Sequence, residues 1–196
     1  TRRKDKGVGK RGSYIVASAP SDLKGDYGCE IWISSSIPLF LANGVKHCVK
    51  VDDVSIFHSS PRYLFARIVS GPFSFVVISA HAPHSRSLDL MEWHEDFSVK
   101  MKNCVEKYNT VIVGIDFNVR FKSTHIDNLF VGGVSCGTPS PHGDNIVDFY
   151  RGFGVSLIST FDKLTGEMFL RDPHTCVHKN GNDVFTDDYI ASTADI

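Results

Sequence analysis

Two short runs, Phe73–Ala80 and Thr110–Ile115, carry apolar side chains on both of their faces, and each runs directly into polar chemistry: His81 after the first, Asp116 after the second. Runs of this length are too short for buried helices. An extended segment that is apolar on both faces needs cover above and below, so both are expected as central strands. This requirement excludes a helical bundle, and it also excludes a single sheet with one wet side.

The remaining sequence supplies the neighbours and the cover. Ser13–Ala19, Gly28–Ser34, Val45–Phe57 and Tyr63–Val69 read as further strands, with Cys29, Ile31 and Ile33 on one face of the second. Gly71-Pro72 marks a turn, so Tyr63–Val69 and Phe73–Ala80 are expected to lie side by side and antiparallel. The period then changes. Leu90, Trp93, Phe97, Met101, Cys104 and Tyr108 recur at three- and four-residue steps, which predicts an amphipathic helix with Ser87 as its N-cap and Asp89 in its first turn. A second helix is expected over Asp144–Phe153, with Ile146, Phe149, Tyr150 and Phe153 inward and Gly154 at its end. Val155–Phe161, Met168–Leu170 and Phe185–Ile190 complete the strands. The first twelve residues and positions 122–143 read as irregular. Many strands with few helices fit two packed sheets with helices outside, in a single domain over residues 1–196.

Composition removes several function classes. No segment approaches the roughly 20 apolar residues of a membrane helix, and no apolar run follows the charged start. The five cysteines are odd in number and contain no Cys-x-x-Cys pair, which argues against a disulfide framework or a cysteine zinc site and for a reducing compartment. The net charge of −1 conceals an asymmetry: Arg2, Arg3, Lys4, Lys6, Lys10 and Arg11 against Asp5 give the first eleven residues +5 and the rest −6. Such an arm can hold phosphates, and it equally suits a solvated terminus.

Three clusters can carry chemistry. Asp116 ends an apolar strand with Asn118 two residues on; continued extended geometry would put both side chains on one face. A carboxylate there can take a proton from water or bind a hard cation, and a carboxamide can donate to a phosphate oxygen without adding charge. The same Asp-x-Asn also suits an ordinary turn. His81 ends the other strand just before Ala82-Pro83-His84 and can donate to a phosphate or bind metal, or simply lie at the surface. Asp187-Asp188 precedes Tyr189-Ile190, where an acid can orient a histidine or only solubilise a strand start.

Taken in order, these segments resemble a known superfamily. Gly114-Ile115-Asp116-Phe117-Asn118-Val119-Arg120 resembles Gly-Asp-Phe-Asn-x-Arg with one residue inserted, and Ala80-His81-Ala82-Pro83 resembles a strand-end Tyr-Ala-Pro. Asp188-Tyr189-Ile190 resembles a late Ile-Asp-Tyr-Ile, and Gly28-Cys29-Glu30-Ile31-Trp32-Ile33 an early strand. These are motifs of the deoxyribonuclease I-like endonuclease/exonuclease/phosphatase superfamily, nearest to the endonuclease domains of non-LTR retrotransposons.

The resemblance implies an α/β (α+β) fold, a four-layer α/β/β/α sandwich incomplete at its termini, with Mg²⁺ (or Mn²⁺) as cofactor. It implies Asp116 as the residue that activates water and as a metal ligand, and Asn118 and His81 on the phosphate. Asp188 would orient a catalytic histidine, and His84 and Arg120 would contact substrate. The expected partner is nucleic acid, DNA first, with no membrane; the expected setting is a monomeric domain of a longer intracellular, nuclear chain. The superfamily's early Asn, its Glu in Gln-Glu-Thr and its final Ser-Asp-His have no match between Thr1 and Ile196. The expectation is therefore a chain cut at both ends, poor in metal binding and inactive alone. Two other functions stay open: a phosphatase for inositol-type or other small phosphoesters, and a catalytically dead remnant.

Overall fold

The computed structural model describes residues 6–23, 28–84, 86–121, 140–157, 176–177, 184–185 and 188–193. The chain divides into two compact units, Thr1–Ala80 and His81–Ile196.

In the first unit, β1 (Gly7–Arg11), β2 (Tyr14–Ser18) and β3 (Glu30–Ser34) form an antiparallel sheet with β2 in the middle. The sequence reading left β1 irregular because of its glycines and cations. It forms because the tight turn at Gly12 (φ 58°) folds it back onto the apolar β2, register Arg11 to Tyr14. The expected run Val45–Phe57 is broken into three pieces: β5 (Val45–His47), a 3-10 turn at Val51–Asp53, and the start of β6 (Val54–Ser60). β5 pairs with β4 (Phe40–Ala42) across the Asn43-Gly44 turn, where both residues have positive φ as a two-residue hairpin requires. β7 (Tyr63–Ser70) pairs with β6 and with β8 (Phe73–His81), as the Gly71-Pro72 turn predicted. A bulge between Ile56 and His58 interrupts the β6 ladder. The core gathers Ile15, Ala17, Cys29, Ile31, Val49, Val54, Leu64, Ala66 and Ile68, with Phe75 and Val77 of β8 against it. On the opposite face of β8, Val76, Ile78 and Ala80 are also buried, as expected of a central strand.

The second unit begins at His81, the last residue of β8. Helix α1 (Leu90–Lys107) starts after Asp89, not after Ser87. The Ser87 hydroxyl donates to the Asp89 carboxylate instead of capping the helix. Strand β9 (Val111–Asp116) includes Asp116 itself and pairs antiparallel with β12 (Asp188–Ser192), whose Asp188 stands opposite Asp116 in register. Contrary to expectation, β9 is buried on one face only. Val111, Val113 and Ile115 are buried, while Ile112 and Gly114 on the other face are exposed. Helix α2 (Gly143–Tyr150) is shorter than expected, and its inward residues are Ile146, Val147 and Tyr150, with Phe149 and Phe153 only half-buried. The expected strand Phe185–Ile190 is two elements: β11 (Val184–Phe185), paired with β10 (Cys176–Val177), and β12. Ser156 exchanges two 3.0 Å main-chain bonds with Ser192. Positions 122–139 and the expected strand Met168–Leu170 lie outside the described residues. No helix among the described residues is long and apolar enough to cross a membrane.

Candidate active site

The site is assembled where β8 and β9 end. Ala82, one residue beyond β8, is bonded twice to the β9 end. Its N–H donates to the Asp116 carbonyl (2.8 Å), and its carbonyl accepts from the Asn118 side-chain Nδ2 (2.8 Å). Pro83 follows with no N–H to give, so the ladder stops there. On the other side, the Asn118 N–H donates to Asp116 Oδ1 (2.8 Å), an Asp side-chain turn. Asn118 takes a positive φ of 51°, a conformation that Asn tolerates better than most side chains.

This geometry decides between the two expectations for Asp-x-Asn in favour of the turn. Asp116 and Asn118 do not share a face through continued β alternation, because the strand ends at Asp116 and Asn118 is left-handed. Turn and hydrogen bonds bring them together instead. The resulting carboxylate has one oxygen tied to the Asn118 amide. The other, Oδ2, lies 3.4 Å from His81 Nε2, and the two side chains are 27% and 44% exposed respectively. A carboxylate and an imidazole within reach of each other and of solvent form a proton-transfer pair.

Between them, Phe117 points inward and anchors the turn. Its ring lies 5.4 Å from Tyr150, 5.6 Å from Tyr189, 5.9 Å from Phe121 and 5.9 Å, nearly parallel, from His94. Sequence reasoning missed His94, which is wholly buried and whose Nδ1 lies 3.1 Å from the Tyr150 hydroxyl. Burial pushes its pKa down to about 3, against a smaller opposing pull from the Phe117 main chain, so this ring is neutral. The signal was present in the chain: Leu90, His94, Phe97, Met101 and Cys104 make an unbroken 4-3-4-3 stripe, and all five are buried on α1, whereas Trp93 is only half-buried.

The other candidates are placed less centrally. His84 is exposed, and its Nδ1 accepts from the Arg86 N–H (3.3 Å). Arg120 is half-buried. Its main chain is fixed to Ser140 by two bonds of 3.0 Å, Arg120 N–H to the Ser140 hydroxyl and Ser140 N–H to the Arg120 carbonyl. Asp188 faces Asp116 in backbone register, and its side chain lies outside the described residues. For a divalent ion, Asp116 Oδ2 is one hard oxygen of the kind Mg²⁺ takes when substrate phosphates and waters fill its other positions. Among the described residues no three His, Cys, Asp or Glu side chains converge to hold a metal. The described residues therefore offer an ion one carboxylate oxygen and no closed cage.

No protein-family model matches the chain, and no curated protein does. Solved structures do. The endonuclease domain of TRAS1, a telomere-specific non-LTR retrotransposon, superposes with a TM-score of 0.55 at 12% identity, covering 93% of this chain and 68% of that one. The catalytic domain of Xenopus laevis APE2 gives 0.54 at 13%, covering 94% and 67%. Humanized D. rerio TDP2 carrying 14 mutations gives 0.51 at 14%, covering 92% and 60%. The chain thus has the deoxyribonuclease I-like endonuclease/exonuclease/phosphatase fold, an α/β sandwich.

Proposed function

We propose that this chain carries the phosphodiesterase site of a nucleic-acid endonuclease, acting on DNA and dependent on Mg²⁺ or Mn²⁺. The observation that supports this most directly is the pair His81 Nε2 and Asp116 Oδ2, 3.4 Å apart and open to solvent, on a turn held from both sides by Ala82 and Asn118. A site that must act on a charged, bulky substrate needs such preorganised groups at the surface.

In this reading Asp116 orients a water for in-line attack on phosphorus and takes up its proton as the new P–O bond forms. The bond to the leaving ester oxygen breaks, and that oxygen is protonated from solvent. His81 donates to a non-bridging oxygen of the phosphate. Asn118 has one Nδ2 hydrogen committed to Ala82 and offers the second to the same group. His84 and Arg120 flank the site as substrate contacts, and Asp188 is the candidate partner of a catalytic histidine. A divalent ion would be held through Asp116 and would supply charge stabilisation at the phosphate.

Because the chain alone is expected to be poor in metal binding and inactive, the reading is tested by nicking of supercoiled plasmid in Mg²⁺ with a version of the protein that also carries the superfamily's early Asn and Glu and its final Ser-Asp-His. Asp116→Ala is expected to lower the rate by about 10²–10³-fold, with a similar loss in His81→Ala. Turnover of soluble phosphomonoesters without nicking would move the assignment to a small-phosphoester phosphatase. Equal rates in the parent and Asp116→Ala would remove this site from the chemistry.

A further inference from the structure

One buried polar pair takes no direct part in the chemistry above. His94 on α1 and Tyr150 on α2 are both wholly buried, with the Tyr150 hydroxyl 3.1 Å from His94 Nδ1. Burying a ring with two polar nitrogens is costly unless they find partners, and a leucine would fill the same apolar stripe without that cost. Burial also fixes the state of each member. It raises the pKa of Tyr150, which stays an O–H donor, and lowers that of His94, which stays neutral. A neutral imidazole has one N–H and one bare nitrogen.

The surroundings assign which is which. A tyrosine O–H opposite Nδ1 suits a bare Nδ1, and the proton then sits on Nε2. Nε2 is buried and meets no acceptor at ordinary hydrogen-bond geometry. The ring nevertheless lies against Phe117, centre to centre 5.9 Å and 25° from parallel. The Phe117 main chain favours the protonated form of His94, as an acceptor facing a ring N–H does, and the acceptor of a main chain is its carbonyl. That carbonyl belongs to the same peptide group as the Asn118 N–H, which donates to Asp116 Oδ1 at 2.8 Å. A contact at one end of this peptide bears on the bond at its other end.

We propose that His94 is a positioning residue for Asp116: its Nε2–H faces the Phe117 carbonyl, sets the plane of the 117–118 peptide, and so holds the Asn118 N–H on Asp116 Oδ1. Tyr150 keeps Nδ1 bare and the proton on Nε2. With Oδ1 held, Oδ2 keeps its place 3.4 Å from His81 Nε2. The proposal rests on the phosphodiesterase reading for the importance of Asp116. Its hydrogen bonds are tested without turnover, so the two can fail separately.

Long-range ¹⁵N–¹H NMR of the histidine-labelled chain reads the tautomer directly. At neutral pH His94 is expected to carry its proton on Nε2, and a proton on Nδ1 would overturn the proposal. This measurement needs no substitution, so it decides even where replacing His94 unfolds the chain. Two variants extend it. His94→Gln keeps an N–H donor near the position of Nε2, and His94→Leu fills the space without one. The Asn118 amide proton, deshielded by its carboxylate partner, should move upfield in His94→Leu and stay close to the parent in His94→Gln. Equal shifts in the two folded variants would reduce His94 to packing. In the completed protein used for nicking, His94→Leu should lower kcat about 10- to 100-fold, as loss of an outer partner of a metal-site carboxylate does, with KM little changed. His94→Gln should recover most of that loss. An unchanged kcat in His94→Leu, or no recovery in His94→Gln, would overturn the positioning role. A completed parent that does not nick, with the tautomer and the amide shifts as expected, would sink the hydrolytic reading and leave the hold on Asp116 standing.

Discussion

The core of the first unit is mainly aliphatic, made of Ile15, Ile31, Val49, Val54, Leu64 and Ile68 with Phe65 also wholly buried, and its buried polar residues among those described are the serines Ser18 and Ser70. The core of the second unit packs rings, Phe97, Phe117, Phe121, Tyr150 and Tyr189, around a buried histidine. Among the described residues each holds one buried thiol, Cys29 or Cys104, whose pKa burial pushes up to about 11. The two thiols thus respond alike, while the second unit adds Tyr150, whose pKa burial also raises, on the alkaline side and His94 on the acid side. Apolar packing alone fixes the first core. In the second, a histidine held neutral by its burial lies against the ring beneath the site turn.

The largest effect that can break this comparison is acid unfolding. In the unfolded chain His94 gains a proton near pH 6.5, while in the folded chain it does so only near pH 3. Across that window the unfolded state binds more protons, so stability is full above pH 6.5 and falls as the pH drops toward 3. The slope is at most about 1.4 kcal/mol per pH unit, which sums to about 5 kcal/mol if the whole shift is realised. Urea unfolding at a series of pH values measures it. His94→Leu should flatten the slope, and a slope unchanged in that variant would assign the acid response to other groups.

Next in size is Phe117→Ala. It removes the ring that touches His94, Phe121, Tyr150 and Tyr189, at an expected cost of about 3–5 kcal/mol. Leu64→Ala in the aliphatic core belongs to the same range, about 2–5 kcal/mol. The contrast is in the site. Phe117→Ala should shift the NMR resonances of the Asn118 amide and the His81 ring in the folded protein, and Leu64→Ala should leave both in place. Equal shifts would show that the site turn does not depend on its aromatic anchor.

How much of this was legible in the chain depended on the range of the interactions involved. Period-two and 3.6-residue patterns gave β2, β3, β7, β8 and α1, because burial along one element is written into that element. The positions of Asp116 and His81 at strand ends were read for the same reason. What failed depended on partners far away in sequence. β1 looks irregular until β2 pairs with it, and Ile112 looks buried because only the packing shows that one face of β9 stays open. Asn118 reads locally either as strand alternation or as an Asp-x-Asn turn; the turn forms, and only its bond to Ala82, 36 residues earlier, has no local signal. His94 was passed over because a histidine in a stripe of apolar residues is counted as polar until its partner Tyr150, 56 residues away, is seen.

Two asparagines with the same backbone angle offer the finest test of the contrast. Asn43 in the first unit and Asn118 in the second both have φ of 51°. Asn43 is at the tip of an exposed hairpin, and Asn118 reaches across to Ala82. Replacement by Ala keeps a Cβ in the left-handed region without the carboxamide that eases it there, and should cost up to about 1–2 kcal/mol at each. Replacement by Gly removes that strain. At Asn43 it should be close to neutral, since Asn-Gly and Gly-Gly both suit such turns. At Asn118 it still breaks the side-chain bond to the Ala82 carbonyl, at a net cost of about 0.5–1.5 kcal/mol. Chemical denaturation of the four variants separates backbone from side chain. If Asn118→Gly proves as harmless as Asn43→Gly, the side-chain bond to Ala82 contributes nothing to the turn, and Phe117 together with the main-chain N–H bonds of Ala82 and residue 118 holds Asp116 in place.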